Sequence, residues 1–107
     1  MVTAGVWGGD HSRLTVSETA ATIEFDCAHG TLDVPLAVDR DGHFDVGGVF
    51  VREHGGPIRV DEVLDQEPAR YVATIDGRTM ILTVTSSQPV GTFTLVLGQA
   101  ARLVKCL

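Results

Sequence analysis

The chain has 107 residues, 44% of them hydrophobic and 21% charged, which is typical of one globular domain with a single core and excludes a disordered chain. Its 14 acidic and 8 basic residues give a formal net charge of −6, so we expect neither nucleic-acid binding nor attraction to anionic membranes. No apolar run has the length of a membrane span, and the first residues lack an export signal. The sequence as written therefore predicts a cytoplasmic protein, although a mature exported domain would look identical.

Turn signals recur at short intervals along the chain, and the segments between them alternate apolar and polar residues. We predict nine strands, at Gly5–Gly8, Arg13–Ser17, Ala21–Cys27, Thr31–Val38, His43–Arg52, Ala69–Asp76, Arg78–Thr85, Thr92–Gly98 and Ala101–Cys106. The clearest alternation places Ile23, Phe25 and Cys27 on one face. Short strands at steady spacing predict an all-β fold, a small antiparallel up-and-down barrel of about eight or nine strands that forms one domain over residues 1–107.

Glycines predict how these strands connect. Asp76-Gly77 is a strong hairpin signal, Asp41-Gly42 predicts a second, slightly longer turn, and Ala28-His29-Gly30 is interpreted as a further turn. Gly47-Gly48 interrupts the fifth predicted strand and indicates a β-bulge or a sharp bend. The longest connection, Gly55 to Pro68, is either one or two helical turns across a barrel mouth, an irregular acidic loop or a short extra strand.

In an up-and-down barrel, alternate turns lie at the same end. The predicted order brings the connections around residues 8–12, 28–30, 53–68 and 86–91 together, and it places His43 at the opposite end. We therefore predict a binding rim at the first end, formed by His11, His29, Glu53, His54, Gly55 and Gly56.

The two cysteines, Cys27 and Cys106, end predicted strands at this same end. They form either a disulfide or two reduced, buried thiols. A metal site is a further hypothesis, because Cys27 and His29 are separated by one residue and Cys106 with His11 or His54 would complete a tetrahedron. A single Cys-x-His is a weak signal, so no metal or other cofactor is predicted.

Four segments carry a resemblance to known proteins. GVWGG at 5–9, IEFDCAHG at 23–30, GGP at 55–57 and KCL at 105–107 together resemble a group of small, functionally uncharacterised bacterial proteins. The Gly-x-Trp opening followed by a meander is also similar to lipocalin-type barrels. That second resemblance implies a ligand-binding barrel, but this chain is shorter than a typical lipocalin, and aliphatic side chains are enough to fill so small an interior.

The sequence favours binding over catalysis, because it has no Gly-x-Ser-x-Gly elbow, phosphate loop or dinucleotide fingerprint. We expect a non-enzymatic binding or interaction domain whose partner is a protein or a small molecule. The alternative is a metal- or thiol-dependent site at Cys27, His29 and Cys106. We expect a monomer or, if His43–Arg52 is an exposed edge, a dimer that pairs through Val49 and Val51.

Overall fold

The structure is a computed structural model that describes residues 2–52 and 66–103. Its eight antiparallel strands form a closed barrel in which each strand pairs with its neighbours in sequence and β8 returns to β1. The strands are β1 (Gly5–Gly9), β2 (Ser12–Val16), β3 (Ala21–Phe25), β4 (Ala28–Leu32), β5 (His43–Arg52), β6 (Gln66–Asp76), β7 (Thr79–Thr85) and β8 (Pro89–Leu97). The prediction of a small up-and-down barrel is confirmed. The described residues include no helix long and apolar enough to cross a bilayer.

The period-two alternation separates the barrel interior from its surface. In β7, Met80, Leu82 and Val84 are buried while the residues between them are exposed. Successive side chains of a strand point to opposite faces, so every strand contributes one apolar row to the interior. The largest fully buried side chains of these rows are Trp7, Leu14, Ile23, Leu32, Tyr71, Met80, Leu82 and Leu95.

We call the end of the barrel that carries residues 17–20, 33–42 and 77–78 the lower end. The connection between β4 and β5 places Leu36 there, fully buried, and the backbone N–H of Val2 donates to the Leu36 carbonyl at 2.8 Å. The indole Nε1 of Trp7 donates to the Thr3 carbonyl at 3.0 Å, so this buried polar group is satisfied. The N-terminal segment and this connection together fill the lower end with apolar side chains.

The prediction of a turn at Ala28–Gly30 is wrong, because these residues form the start of β4. The fourth strand therefore begins and ends earlier than the predicted Thr31–Val38. A Cβ atom at Gly30 would lie 2.2 Å from the hydroxyl oxygen of Tyr71, and that hydroxyl donates to the Val49 carbonyl at 2.8 Å. Gly30 makes room for a buried tyrosine rather than for a turn.

Of the two alternatives predicted at Gly47-Gly48, the β-bulge is wrong, and the sharp bend stays a prediction. The β5–β6 ladder runs from the His43–Thr74 pair to the Val51–Gln66 pair with one continuous register. Gly48 lies beside the Tyr71 ring, and a Cβ atom there would come within 2.9 Å of the Tyr71 Cε2 atom. The register shift occurs instead between β7 and β8, at Val84 and Thr85.

Two other predictions concern the chain after β5 and β8. The connection over residues 53–65 and the last residues, 104–107, lie outside the described residues, so the helical turn and the second half of the predicted ninth strand are not covered. In the described part of that ninth strand, Arg102 forms a parallel bridge with Asp10. Val49 and Val51 pair with both β4 and β6, so this part of β5 is not a sheet edge.

Candidate binding site at the upper end of the barrel

The upper end carries the turns at residues 10–11, 26–27 and 86–88, as the alternation of turns predicts. The Nδ1 atom of His11 lies 2.5 Å from the Oδ2 atom of Asp26, across two different turns. On the other side of the same end, the Ser86 hydroxyl donates to the Pro68 carbonyl at 2.9 Å. Residues far apart in sequence thus share one rim.

His11 adopts an unusual backbone conformation at this rim. Its φ of +69° makes it the only described non-glycine residue with a positive φ, a region in which histidine is more common than most residues but which still costs energy. The side chain of His11 is 65% exposed and that of Asp26 is 28% exposed. A contact so accessible to water contributes at most about 1 kcal/mol, so it orients the two turns more than it stabilises the fold.

Three phenylalanines lie below the rim. The Phe25 ring centroid is 5.6 Å from that of Phe50, at an edge-to-face angle of 61°, and 5.2 Å from that of Phe93. Phe25 and Phe50 are buried, whereas Phe93 is partly exposed. They line a depression of about 240 Å³, which we call the mouth depression, together with His11, Asp26, Cys27, Ala28, Arg52 and Val90.

A second charged pair borders the mouth depression. The Arg52 guanidinium carbon lies 5.2 Å from the Phe50 ring centroid, and its Nη2 atom is 3.4 Å from the Oε1 atom of Glu67. The Ser87 hydroxyl donates to the Oε2 atom of Glu67 at 2.7 Å. This hydrogen bond lowers the pKa of Glu67, with Ser86 and Arg52 acting in the same direction. The Glu67 carboxylate is therefore held ionised beside the aromatic rings.

Ser12 is the buried polar residue that the sequence analysis missed. Its side chain is fully buried on the inner face of β2, opposite Phe25, and its hydroxyl has no hydrogen-bond partner in the described part of the chain. The predicted second strand begins only at Arg13, although the run Ser12, Leu14, Val16 carries the period-two signal that puts Ser12 inside the barrel. It adds a polar group to the interior just below the His11 turn.

The structure places the predicted rim residues differently. His11 lies on the rim, but His29 lies within β4, half-buried, with Glu24 and Val51 as its cross-strand neighbours. Because the inner positions on either side of it belong to buried Ala28 and Gly30, His29 lies on the outer face. The predictions for Glu53, His54, Gly55, Gly56 and Cys106 lie outside the described residues.

Cys27 is exposed in the turn between β3 and β4 and not on the inner face that the alternation predicted. It is not a free thiol, since its sulfur is in a disulfide. A sulfur in a disulfide is not a thiolate, and the thiolate is the form that ligates metals.

One group of three potential metal-ligating side chains occurs in the described part of the chain, at the lower end. The ligand atoms of Asp39, Asp41 and His43 all lie within 4.8 Å of one another. The Oδ1 atom of Asp39 accepts hydrogen bonds from the backbone N–H groups of Asp41 and His43, both at 2.9 Å. The bond from His43 lowers the pKa of Asp39 most. The carboxylate therefore shapes the end of the β4–β5 connection, which accounts for the cluster without a metal.

Comparison with family models, curated proteins and solved structures finds no match to this chain. The resemblances to small bacterial proteins and to lipocalin-type barrels stay predictions.

Proposed function

We propose that the protein is a non-enzymatic binding domain and that the mouth depression is its site. The proposal rests on one observation: aromatic rings lie beneath charged side chains at one end of the barrel. Phe25 and Phe93 provide apolar surface, while the His11–Asp26 and Arg52–Glu67 pairs stand beside it. Concave sites with an apolar lining and a few polar groups are typical of ligand binding.

The volume of the mouth depression limits the size of the ligand that it can hold. About 240 Å³ is below the range of about 300–1,000 Å³ for drug-sized ligands. It suits one aromatic or branched aliphatic group, either a small molecule or a side chain of a protein partner. Both signs of charge border the site, so we expect a neutral or zwitterionic polar end on that ligand.

We further propose that Cys27 pairs with Cys106. The chain has 2 cysteines, and Cys27 is already in a disulfide. Arg102 forms a bridge with Asp10 beside the His11 turn. Cys106 follows Arg102 by four residues, and four residues of extended chain span up to about 13 Å. The disulfide would link the C-terminal end of the chain to the rim, and disulfides are typical of proteins in oxidising compartments.

A binding experiment tests the site. Indole, phenol and cyclohexanol, each at about 10 mM because single-group ligands bind weakly, are titrated into ¹⁵N-labelled protein. We expect amide shifts at residues 10–11, 25–28, 50–52 and 90–93. Phe93→Ala should abolish them, whereas Val34→Ala, at an exposed valine of the lower end, should leave them unchanged. Shifts that map elsewhere, or no shift with any probe, would refute the proposal.

Thiol chemistry tests the disulfide and its alternative together. Protein purified without reductant should be two hydrogens lighter than the reduced chain by intact mass and should show no reactive thiol. Two free thiols together with a stoichiometric Zn²⁺ adduct in native mass spectrometry, lost in Cys27→Ser, would instead favour the metal- or thiol-dependent site at Cys27, His29 and Cys106, with His11 as a further ligand.

A further inference from the structure

The strands β1 and β8 close the barrel over a short seam. Within the described residues they pair at two positions, Trp7 with Leu97 and Gly8 with Val96. On the other side of β8, β7 pairs with it along its whole length. The upper half of β8 therefore has a neighbouring strand on one side only in this part of the structure.

The alternation of hydrogen bonds along β8 identifies the backbone groups that this short seam leaves unpaired. The N–H of Leu97 donates to the carbonyl of Arg78, just before β7, and the N–H of Gly98 donates to a carbonyl of β1. Successive residues of a strand direct their backbone groups to opposite edges, so those of Thr92 and Thr94 face the β1 side. Among the described residues, neither threonine has a backbone partner on that side.

Gly9 marks the point where the unpaired stretch begins. A Cβ atom at Gly9 would lie 2.0 Å from the Thr94 carbonyl oxygen, so the backbone of β1 covers that carbonyl. Above this point, the unpaired groups are the N–H of Thr94 and both backbone groups of Thr92. They border a groove of about 420 Å³ between β8 and the His11 turn, which we call the seam groove.

Other strands have unpaired stretches that differ from this one. On β6, Pro68 has no N–H, and its carbonyl accepts a hydrogen bond from the Ser86 hydroxyl at 2.9 Å. On β5, the stretch that is not paired with β4 includes Asp45, whose carboxylate forms a surface ion pair. Proline and charged side chains protect strand edges from further pairing. The stretch of β8 at Thr92 and Thr94 carries neither, and a groove lies beside it.

The spacing of the unpaired groups matches an extended peptide. In an antiparallel pair, a peptide residue opposite Phe93 is flanked by residues that bond to Thr92 and Thr94. Its side chain lies on the same face as Phe93, with the two Cβ atoms about 4.5–5.5 Å apart. Phe93 and His11 line both the seam groove and the mouth depression. A peptide on this edge therefore directs one side chain toward the phenylalanine rings.

We propose that the free edge of β8 binds an extended segment of a protein partner, which adds a strand to the sheet and places one apolar side chain in the mouth depression. The proposal rests on the binding function proposed for the mouth depression and selects a peptide as its ligand. The chain has a formal net charge of −6, and the carboxylate of Asp10 in the seam groove is exposed. These charges favour a peptide with basic residues beside its apolar anchor over the edge of a second, equally acidic copy.

Amide hydrogen exchange during a peptide titration tests the added strand. The probe is acetyl-Lys-Thr-Phe-Thr-Lys-amide, at up to about 5 mM because one short strand binds weakly. We expect the N–H groups of Thr92 and Thr94 to exchange rapidly in the free protein and several times more slowly with the peptide bound. The N–H groups of Phe93 and Leu95, which face β7, should exchange slowly in both states.

Methyl groups on the peptide backbone separate main-chain pairing from side-chain contact. N-methylation of the threonine that follows phenylalanine removes the hydrogen bond to the Thr92 carbonyl and should weaken binding by up to about tenfold. N-methylation of the last lysine is the matched control, because its N–H points away from β8, and it should have little effect.

Two aspartate variants test the charge of the groove. Asp10→Asn should weaken binding of the peptide about two- to threefold, because it removes the carboxylate beside the lysines. Asp33→Asn changes the net charge by the same amount at an exposed position of the lower end and should leave the affinity unchanged.

The outcomes distinguish this proposal from the function on which it rests. If phenol shifts the amides around the mouth depression but both methylated peptides bind equally well, the added strand is refuted and the depression stands as a small-molecule site. If Thr92 and Thr94 are protected without peptide, or become protected as the protein concentration rises, this chain or a second copy covers the edge and the proposal is wrong. If neither phenol nor any peptide binds, both proposals fail.

Discussion

The two ends of the barrel use similar residues for different purposes. At the lower end Leu36 is fully buried and Val2 is 6% exposed, and the chain folds over the interior. At the upper end the His11–Asp26 and Arg52–Glu67 pairs border a depression floored by phenylalanine rings. Apolar chain that closes one end stabilises the barrel, which leaves the other end free to hold exposed and strained groups.

Two aspartates show the same contrast. Asp39 at the lower end accepts two backbone hydrogen bonds and so fixes its own loop. Asp26 at the upper end pairs with the side chain of a different turn. A carboxylate that accepts hydrogen bonds from nearby backbone N–H groups fixes the conformation of its own loop. A carboxylate that pairs with a side chain of another turn instead holds that side chain at the surface. If this distinction holds, substitutions should affect stability strongly at the lower end and weakly at the upper end.

The largest effect is expected at Leu36. Leu36→Ala should lower the free energy of unfolding by about 2–5 kcal/mol, because it leaves a cavity under the β4–β5 connection. Val34→Ala, two residues earlier and exposed, should change it by less than about 0.5 kcal/mol. Urea unfolding monitored by circular dichroism measures both variants. A Leu36→Ala effect as small as that of Val34→Ala would show that the lower end is not closed by this side chain.

An intermediate effect is expected from Tyr71, between the two ends. Burial raises the pKa of Tyr71 from 10.0 to about 12. Below pH 10 the phenol is neutral in both states, but between pH 10 and 12 it ionises only in the unfolded chain. The folded state should therefore lose up to about 1.4 kcal/mol of stability per pH unit in that window.

The single tyrosine of the chain makes this titration directly visible as tyrosinate absorbance. Tyr71→Phe is the matched control: it removes the hydrogen bond to the Val49 carbonyl, at a cost of about 0.5–1.5 kcal/mol, and it should flatten the pH dependence. A midpoint near pH 10 in the folded protein, or an unchanged alkaline loss of stability in Tyr71→Phe, would contradict the burial of this hydroxyl.

Sequence patterns predicted the barrel because alternation is a local property of each strand. They did not predict why Gly30 and Gly48 are glycines, since a glycine at a turn and one beside a large ring look identical in sequence. Tyr71, which requires both glycines, lies at least 23 residues away in the chain. The predicted strand order brings His11 to the rim, but neither its positive φ nor its contact with Asp26 follows from a sequence pattern.

The smallest effect on stability is expected at His11. Substitutions there distinguish the strain of its backbone from the contribution of its contact with Asp26. Both His11→Ala and His11→Gly lose the contact between the imidazole and Asp26, but only glycine adopts a φ of +69° without cost. His11→Gly should therefore be more stable than His11→Ala by about 1 kcal/mol. Asn also tolerates this conformation, so His11→Asn should lie between them. If the three variants unfold at the same urea concentration, the turn relaxes on substitution and the backbone of His11 is not strained. If His11→Gly is also more stable than the wild type, the backbone strain outweighs the contact between His11 and Asp26. The upper end then keeps a histidine at this position at a net cost in stability, which is the pattern expected where a side chain serves recognition and not folding.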